Sequence, residues 1–351
     1  MRATTAPGPD LVVFPSSTTG EIKFSLNLKQ IPDLSVDLSE AGLDPLGIEF
    51  VQDQDQQAGL YPPIWQPIHG SRRPLDDCVA LWRALANGAT QADDYELFAL
   101  AARIAFGFQG ASIRLRDLSR AYNRELDTLI SKGLFVAGTR GKSVNTLQIF
   151  LEIHSFFSEA ASLRDHLAEF VARHVLQDHV PRATRIRLMS TLVKHVLNPA
   201  RGEHSIADDL HCATTEPDGW LATFSAYRDI FIHYLPASQA APGGFVWKSS
   251  HSMPNGAAVP RITVPLPADP YSLKRIQSNS NQFKTISEYL YAIKDDRAPE
   301  ARADALDYCH KVLEDFVNLG TAVAPHSPAA PHVVHIDAKD LKGPIIWTGA
   351  R

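Results

Sequence analysis

Residues 146–178 read TLQIFLEIHSFFSEAASLRDHLAEFVARHVLQD, and this segment decides the fold of the chain. Its apolar residues recur three and four positions apart, which is the period of an amphipathic α-helix. The face that this spacing builds contains Phe150, Ile153, Phe157, Ala160, Leu163, Leu167, Phe170 and Val171. We therefore expect one long helix that buries this face against other parts of the protein.

Helical periodicity continues on both sides of this segment, so the predicted fold class is mainly α. Further predicted helices cover residues 76–87, 93–131, 184–197, 280–293 and 300–319. The helix at 93–131 is expected to be interrupted near Gly107 and Gly110, because glycine is unfavourable inside a helix. The helix at 184–197 is expected to stop before Pro199.

Another helix is predicted to begin at Thr215-Glu216-Pro217-Asp218, which resembles a capping box with Asp in the position usually held by Glu. The missing N–H of Pro217 is tolerated in a first helical turn. The helix is expected to run to Leu235, because Pro236 disfavours its continuation. Its apolar stripe contains Trp220, Phe224, Tyr227, Phe231 and Tyr234.

Short strands are predicted outside the helices. Residues 11–14 and 21–28 flank a turn-rich stretch and predict a β-hairpin, whereas residues 31–74 are expected to be irregular. Further strand-like runs occur at residues 244–247, 261–264, 332–336 and 345–347. The chain is accordingly divided into an N-terminal hairpin and wrap (1–75), a helical bundle (76–236), a Pro/Gly-rich insert with short strands (237–279), C-terminal helices (280–320) and a strand-bearing tail (321–351).

The composition places limits on location and partners. The 351 residues are 44% apolar and 21% charged, as in ordinary globular proteins. A net charge of −5 argues against a large nucleic-acid-binding surface but leaves room for a small basic site. Cys78, Cys212 and Cys309 do not form a disulfide framework, and no apolar run approaches the roughly 20 residues that span a bilayer. We expect a soluble, cytoplasmic protein without membrane contact.

The candidate functional motif is Tyr227-Arg228-Asp229-Ile230-Phe231-Ile232-His233-Tyr234. It resembles the active-site helix of the HEPN superfamily (higher eukaryotes and prokaryotes nucleotide-binding). That helix commonly carries an Arg, then a polar residue, and then a His after four to six intervening residues. The resemblance covers residues 93–236 and implies a HEPN-like helical bundle. Arg173 and His179 have a compatible spacing too, near the end of another predicted helix, but the capped helix and its aromatic stripe favour Arg228 and His233.

The spacing within this motif has a geometric consequence. On a regular α-helix, residues five apart differ by about 140° in direction and roughly 7.5 Å in rise. Arg228 and His233 of one chain would therefore not point at a common spot, whereas Asp229 and His233 would share a face. Arg228 would have to reach round the helix, or a second copy would have to supply the His. The resemblance favours the second option, because such proteins are usually homodimers whose motif helices face each other across a cleft.

The resemblance implies metal-independent cleavage of RNA without a cofactor, with the ribose 2′-OH as nucleophile. His233 would move the proton and Arg228 would hold phosphoryl oxygens, while Asp229 could orient the imidazole or fix the guanidinium. Tyr227 and Tyr234 could stack on bases, or could belong to the core. Glu159 or Asp165 could support Arg228 from the long helix. HEPN proteins often act in toxin or antiviral systems, which implies a possible neutralising or sensing partner protein.

Two other functions remain open from the sequence. A HEPN-like chain without activity would be a scaffold that binds a protein or a nucleotide. Alternatively, His204, Asp208, Asp209 and His211 could bind the metal of a metal-dependent hydrolase, although they complete no known ligand pattern. Residues 138–143, GTRGKS, do not complete a phosphate-binding loop because Val136 occupies the position of its first glycine, and we expect a solvated loop there.

Overall fold

A computed structural model describes residues 2–5, 10–14, 24–27, 46–50, 64–68, 74–182, 184–234, 244–252, 256, 258–292 and 298–333. The described part is mainly helical with small antiparallel sheets, as the sequence predicts. The predicted strands at 345–347 and, beyond Val333, at 332–336 lie outside the described residues. No helix of the described residues is long and apolar enough to cross a membrane.

Helices make up most of the described residues. In chain order they are α1 (Pro74–Gln91), α2 (Tyr95–Ser131), α3 (Thr146–Phe170), α4 (Met189–Leu192), α5 (Asn198–Ala200), α6 (Ser205–Thr214), α7 (Trp220–Asp229), α8 (Pro270–Ser278), α9 (Ile286–Ala292) and α10 (Ala305–Val323). Three of them continue directly into a π-helical segment, in which hydrogen bonds join residues five apart. These segments are Val171–Val175 after α3, Val193–Leu197 after α4 and Ile230–Tyr234 after α7.

The core forms around α3. All eight residues of its predicted stripe are buried. The stripe packs between α2 on one side and α7 and α10 on the other, and the Trp82 ring of α1 meets the edge of Phe170 at 4.8 Å. One hydrophobic cluster contains residues of α1 to α8 and of α10, whereas α9 has no buried residue. The boundaries drawn from the sequence at residues 236 and 280 therefore separate segments that share this core.

The predicted interruption of the second helix is wrong, because α2 runs through Gly107 and Gly110 without a break. Helix α3 crosses α2 closely at this point. A Cβ on Gly107 would lie 3.2 Å from the Leu163 Cβ, and a Cβ on Gly110 would collide with the Glu159 carboxylate. The glycines therefore permit close helix packing, and the long helix around them compensates for their poor propensity.

Two predicted helix boundaries are also corrected. The helix predicted to start at 184 begins at Met189, and its continuation passes through Pro199, which lies in the first turn of α5, where no N–H is needed. Helix α7 begins at Trp220, with Gly219 and not Thr215 as its N-cap. Residues 215–218 instead form a turn after α6 that contains a cis Glu216–Pro217 bond. The predicted end at Leu235 lies outside the described residues.

Within the described ranges, three antiparallel sheets accompany the helices. In the first, β1 (Arg2–Thr5), β2 (Asp10–Phe14) and β3 (Phe24–Asn27) pair in sequence order, which confirms the predicted hairpin and adds a strand before it. The second consists of β4 (Gly47–Phe50) and β5 (Ile64–Pro67), which lie in the stretch predicted to be irregular. These two strands have only four residues each, and the Pro, Gln and Gly residues around them gave no strand pattern in the sequence.

The third sheet connects the insert to the bundle. The predicted strands at 244–247 and 261–264 are found as β7 (Val246–Ser252) and β8 (Ala258–Thr263). Their partner is β6 (Thr139–Gly141), in the connection between α2 and α3. The prediction of a solvated loop at residues 138–143 is therefore partly wrong, because β7 supplies backbone hydrogen-bond partners for an otherwise short exposed segment.

Candidate functional site

The candidate site forms where α7 becomes π-helical. Phe224 and Tyr227 anchor α7 in the core, and Phe231 anchors the π-helical segment that follows, so the opposite side of this helix faces outward. Arg228 and Asp229 lie at the last two positions of α7 and keep a quarter of their side-chain surface exposed. His233 lies in the π-helical segment and is exposed.

Arg228 and His233 meet within one chain. The Arg228 Nη1 atom lies 2.6 Å from the His233 Nε2 atom. The expectation that residues five apart point in different directions is therefore wrong for this helix. In the π-helical segment each turn takes more residues than in an α-helix, so a residue five positions on is turned less far from the first than it would be on an α-helix.

The contact also indicates which nitrogen of the imidazole carries the proton. A guanidinium can only donate hydrogen bonds, so Nε2 accepts this one. His233 is then neutral in this arrangement and carries its proton on Nδ1. The Nε2 lone pair of such an imidazole can accept a proton once the hydrogen bond from Arg228 is released. The Nε atom of Arg228 is buried and has no hydrogen-bond partner among the described residues.

Asp229 connects this pair to a second cation. Its Oδ1 atom accepts a hydrogen bond from Arg228 Nη1 at 3.0 Å, and its Oδ2 atom lies 2.7 Å from the Lys274 Nζ atom of α8. Desolvation raises the pKa of Asp229, but the hydrogen bonds from Lys274 and Arg228 and the charges of both outweigh it and leave the pKa lowered. The carboxylate is therefore ionised at neutral pH and holds two cations beside His233.

Lys274 is the member of the cluster that sequence analysis missed. It lies 41 positions after His233, in a segment that was assigned to the Pro/Gly-rich insert, and no functional motif includes it. The sequence does contain a helix start there, because Asp269 is an N-cap whose side chain accepts from the Ser272 N–H at 2.8 Å, and Pro270 is the first residue of the helix. This pattern predicts the short helix that carries Lys274, but not its packing against α7.

The two tyrosines of the motif do not both reach the surface. Tyr227 is buried, its hydroxyl donates to the Pro267 carbonyl at 2.6 Å, and its ring packs beside Phe231 and Tyr308. Of the two possibilities for Tyr227, core packing is therefore the one observed, because the apolar stripe faces inward. The side chain of Tyr234 lies outside the described part of the structure.

Glu159 and Asp165 lie away from Arg228. Glu159 faces Gly110 of α2, whereas Phe157, two residues earlier and so on the other side of α3, faces α7. Asp165 accepts a hydrogen bond from the Met189 N–H at 3.1 Å and pairs with Arg164 at 2.9 Å. Neither carboxylate makes a hydrogen bond or ion pair with Arg228 among the described residues, and Asp165 instead holds the start of α4.

The competing Arg–His spacing is not brought together. Arg173 makes ion pairs of 2.7 Å with Glu169 and with Glu96. His179 lies 3.6 Å from the Glu203 carboxylate. The two side chains therefore have separate partners. Of the two candidate pairs, only Arg228 and His233 form a joint site.

The His204–His211 segment is used for helix capping. The His204 Nδ1 atom accepts from the Ile206 N–H at 3.2 Å, and Asp208 accepts from the Gly202 N–H at 2.9 Å. Within the described ranges, no group of three or more His, Cys, Asp or Glu side chains is placed to hold a metal ion. The geometry gives the metal-dependent alternative no support from these residues.

Comparison of the chain with family models, with curated proteins and with solved structures gives no match.

Proposed function

We propose that this protein is a metal-independent endoribonuclease of the HEPN type, with Arg228 and His233 as its catalytic pair and without a cofactor. The observation that carries the proposal is the 2.6 Å contact between Arg228 Nη1 and His233 Nε2 on a solvent-facing helix. The pair combines a permanent cation with an imidazole nitrogen that can accept a proton. These are the two groups that cleavage by an internal hydroxyl requires.

The reaction can be written on these groups. His233 Nε2 takes the proton of the ribose 2′-OH as its oxygen attacks the adjacent phosphorus. The new P–O2′ bond forms, the P–O5′ bond breaks, and the 5′ oxygen leaves as a hydroxyl after receiving a proton from the imidazolium. Arg228 and Lys274 neutralise charge on the phosphoryl oxygens. Substrate must replace the direct Arg228–His233 contact, because His233 Nε2 accepts from Arg228 in the free protein.

The proposal needs a single chain for the chemistry. The π-helical turn places the guanidinium beside the imidazole of the same helix, so no residue from a second copy is required to complete the pair. The resemblance implies a homodimer with facing motif helices. Such a dimer would set the width of the cleft that receives the RNA, but it would not be needed to bring the catalytic groups together. The net charge of −5 favours a short RNA footprint around Arg228 and Lys274.

We also propose a cytoplasmic location and a role in defence or as a toxin with a neutralising or sensing partner. The location is supported by Cys78, Cys212 and Cys309, which are all free thiols, as is usual in a reducing compartment. The biological role is supported only by the resemblance of the motif to HEPN proteins.

The alternative function is a scaffold without catalytic activity. One observation favours it. Asp229 joins Arg228 of α7 to Lys274 of α8, at 3.0 Å and 2.7 Å, and so fastens two helices together. A purely structural network would need Arg228, Asp229 and Lys274 but not His233. The contribution of His233 therefore separates the two functions.

The test is cleavage of a mixed-sequence RNA by the purified protein in excess chelator. We expect cleavage products with 2′,3′-cyclic phosphate ends, and a loss of about 10²–10⁴-fold in rate for His233→Ala and for Arg228→Ala. DNA of the same sequence should remain intact, because it lacks the 2′-OH.

His179→Ala is the matched control, because His179 follows Arg173 at a similar spacing but lies beside Glu203. It should cleave at the wild-type rate. Absence of cleavage by every form would reject the nuclease proposal in favour of the scaffold. Activity that disappears with chelator would reject the metal-independent mechanism.

A further inference from the structure

The outward side of α7 is a narrow strip that continues the candidate site toward the start of the helix. Ser225, Asp229 and His233 follow one another at intervals of four residues, and none of the three is buried. Residues four apart on a helix share a face. We call the surface defined by these three residues the α7 strip. Ser225 is the one position of this strip that the proposed reaction leaves unused.

A third cation reaches the strip at Ser225. Arg164 of α3 donates from its Nη1 atom to the Ser225 Oγ atom at 3.1 Å, and from its Nε atom to the Asp165 carboxylate at 2.9 Å. Its Nη2 atom has no hydrogen-bond partner among the described residues, and the side chain keeps 11% of its surface exposed. The remaining N–H donors can therefore bind a ligand that lies along the strip.

The charges beside the strip favour an anionic ligand. Arg164, Arg228 and Lys274 all contact its residues, so three cations meet there. The carboxylates among them are Asp165 and Asp229. Each carboxylate already accepts from two donors, which are the Met189 N–H and one cation at Asp165 and two cations at Asp229. The strip therefore has an excess of positive charge, although the net charge of the chain is −5.

Two further acids of this region lie on the other side of α7. Glu216 and Asp218 precede the helix and interact with Tyr271 of α8. The Tyr271 hydroxyl lies 2.9 Å from the Thr223 hydroxyl. Thr223 is turned about 200° around α7 from Ser225, so this acidic region does not face the strip at Ser225.

The two cationic positions are separated by a distance that suits a nucleic acid strand. Ser225 and Asp229 differ by roughly 6 Å in rise along the helix. One nucleotide of an extended single strand spans a comparable length, and each nucleotide carries one phosphate charge. A strand with one phosphate beside Arg228 can therefore place a neighbouring phosphate beside Arg164.

We propose that Arg164 binds a second phosphate of the RNA strand, one nucleotide from the phosphate held by Arg228. This inference rests on the proposed function, which places the scissile phosphate at Arg228 and His233. Arg164 contacts no reacting atom, so it strengthens the binding of substrate and transition state equally. Asp165 and Ser225 hold its guanidinium in place for this contact.

Binding of a strand that cannot be cleaved tests the proposal. Single-stranded DNA keeps the phosphates but lacks the 2′-OH, and fluorescence anisotropy gives its dissociation constant over a range of salt concentrations. We expect Arg164→Gln to weaken binding about tenfold at low salt. The slope of log K against log salt should become shallower by about 0.7, the value for one phosphate contact of a single strand. Arg164→Lys keeps the charge and should keep most of the wild-type slope.

Arg116→Gln is the matched control. Arg116 donates from Nε to the adjacent Asp117 at 3.1 Å and keeps 16% of its side chain exposed, like Arg164, but it belongs to α2. Its substitution should leave the slope unchanged. Ser225→Ala tests a purely structural role, because it removes the hydrogen bond between α3 and α7 but no charge. It should leave the slope near the wild-type value.

Cleavage kinetics provide a second measurement. Arg164→Gln should raise KM about tenfold and keep kcat within about twofold, whereas Arg228→Ala should lower kcat. An unchanged slope in Arg164→Gln, or an equal loss of slope in Arg116→Gln or Ser225→Ala, overturns the inference even if the wild type cleaves RNA. A shallower slope in Arg164→Gln alone, with no cleavage by the wild type, supports the phosphate site and rejects only the nuclease. A wild type that binds no strand overturns both.

Discussion

Asp304 shows how a single residue can set the pH response of the fold. Its Oδ1 atom accepts hydrogen bonds from the Tyr122 hydroxyl at 3.0 Å and from the Val264 N–H at 2.6 Å. It thereby joins α2, the end of β8 and the start of α10 at one buried point. Burial, followed by the negative charge of Asp307, raises the pKa of Asp304 from 3.8 to about 7.

This pKa predicts a loss of stability with rising pH. Because the pKa in the folded state is above that of the unfolded chain, the contribution of Asp304 is complete below pH 3.8 and is lost as the pH rises through about 7. We expect it to amount to a few kcal/mol, at about 1.4 kcal/mol per pKa unit. Asp304→Asn keeps the acceptor oxygen but cannot ionise, so it should remove this part of the pH dependence in urea unfolding.

Asp307→Asn provides the comparison for this prediction. Its side chain is 64% exposed and its charge is only the second cause of the shift at Asp304. Most of the pH dependence should therefore survive that substitution. Equal slopes of unfolding free energy against pH in wild type and Asp304→Asn would contradict the prediction.

At the scale of the element, the sequence predicts the helices but not the points at which they become π-helical. The stripe from Trp220 to Phe231 predicted the helix, and Phe224, Tyr227 and Phe231 are buried as expected. The spacing of apolar residues does not reveal that the hydrogen bonding changes after Asp229. The residues of the candidate pair were therefore found from the sequence, but their direct contact was not.

The contact between Arg228 and His233 predicts a hydrogen bond that can be measured in solution. Arg228→Ala removes the donor of this bond, so the His233 ring should lose it. The ¹⁵N chemical shift of the His233 side chain measures this bond, independently of any cleavage.

The wild type and His233→Ala are the two reference proteins for this measurement. The wild type should show one imidazole nitrogen shifted by the hydrogen bond, and His233→Ala should lack that signal. A shifted signal that persists in Arg228→Ala would contradict the contact between the two side chains. If the nuclease proposal holds, Arg228→Ala should also lose RNA cleavage.

At the scale of the whole molecule, contacts between segments far apart in the sequence complete the third sheet and the candidate site. Strand β6 pairs with β7 across more than 100 residues, and Lys274 reaches Asp229 from another helix. Local periodicity identified α3 and its buried face because one helix determines its own pattern. It could not identify these pairings, because they depend on which surfaces of separate elements are left to be covered.

Phe157 is the residue at which this shared core can be tested. It is fully buried on α3, and its ring packs against Phe224, Phe231 and Tyr308, which belong to α7, its π-helical continuation and α10. Phe157→Ala should therefore lower the free energy of unfolding by about 3–5 kcal/mol, in one cooperative transition by circular dichroism and by tryptophan fluorescence. Leu147→Ala, at an exposed position of the same helix, should change it by no more than about 0.5 kcal/mol. Two separate transitions in Phe157→Ala would contradict a single core, because α10 would then unfold independently of the bundle.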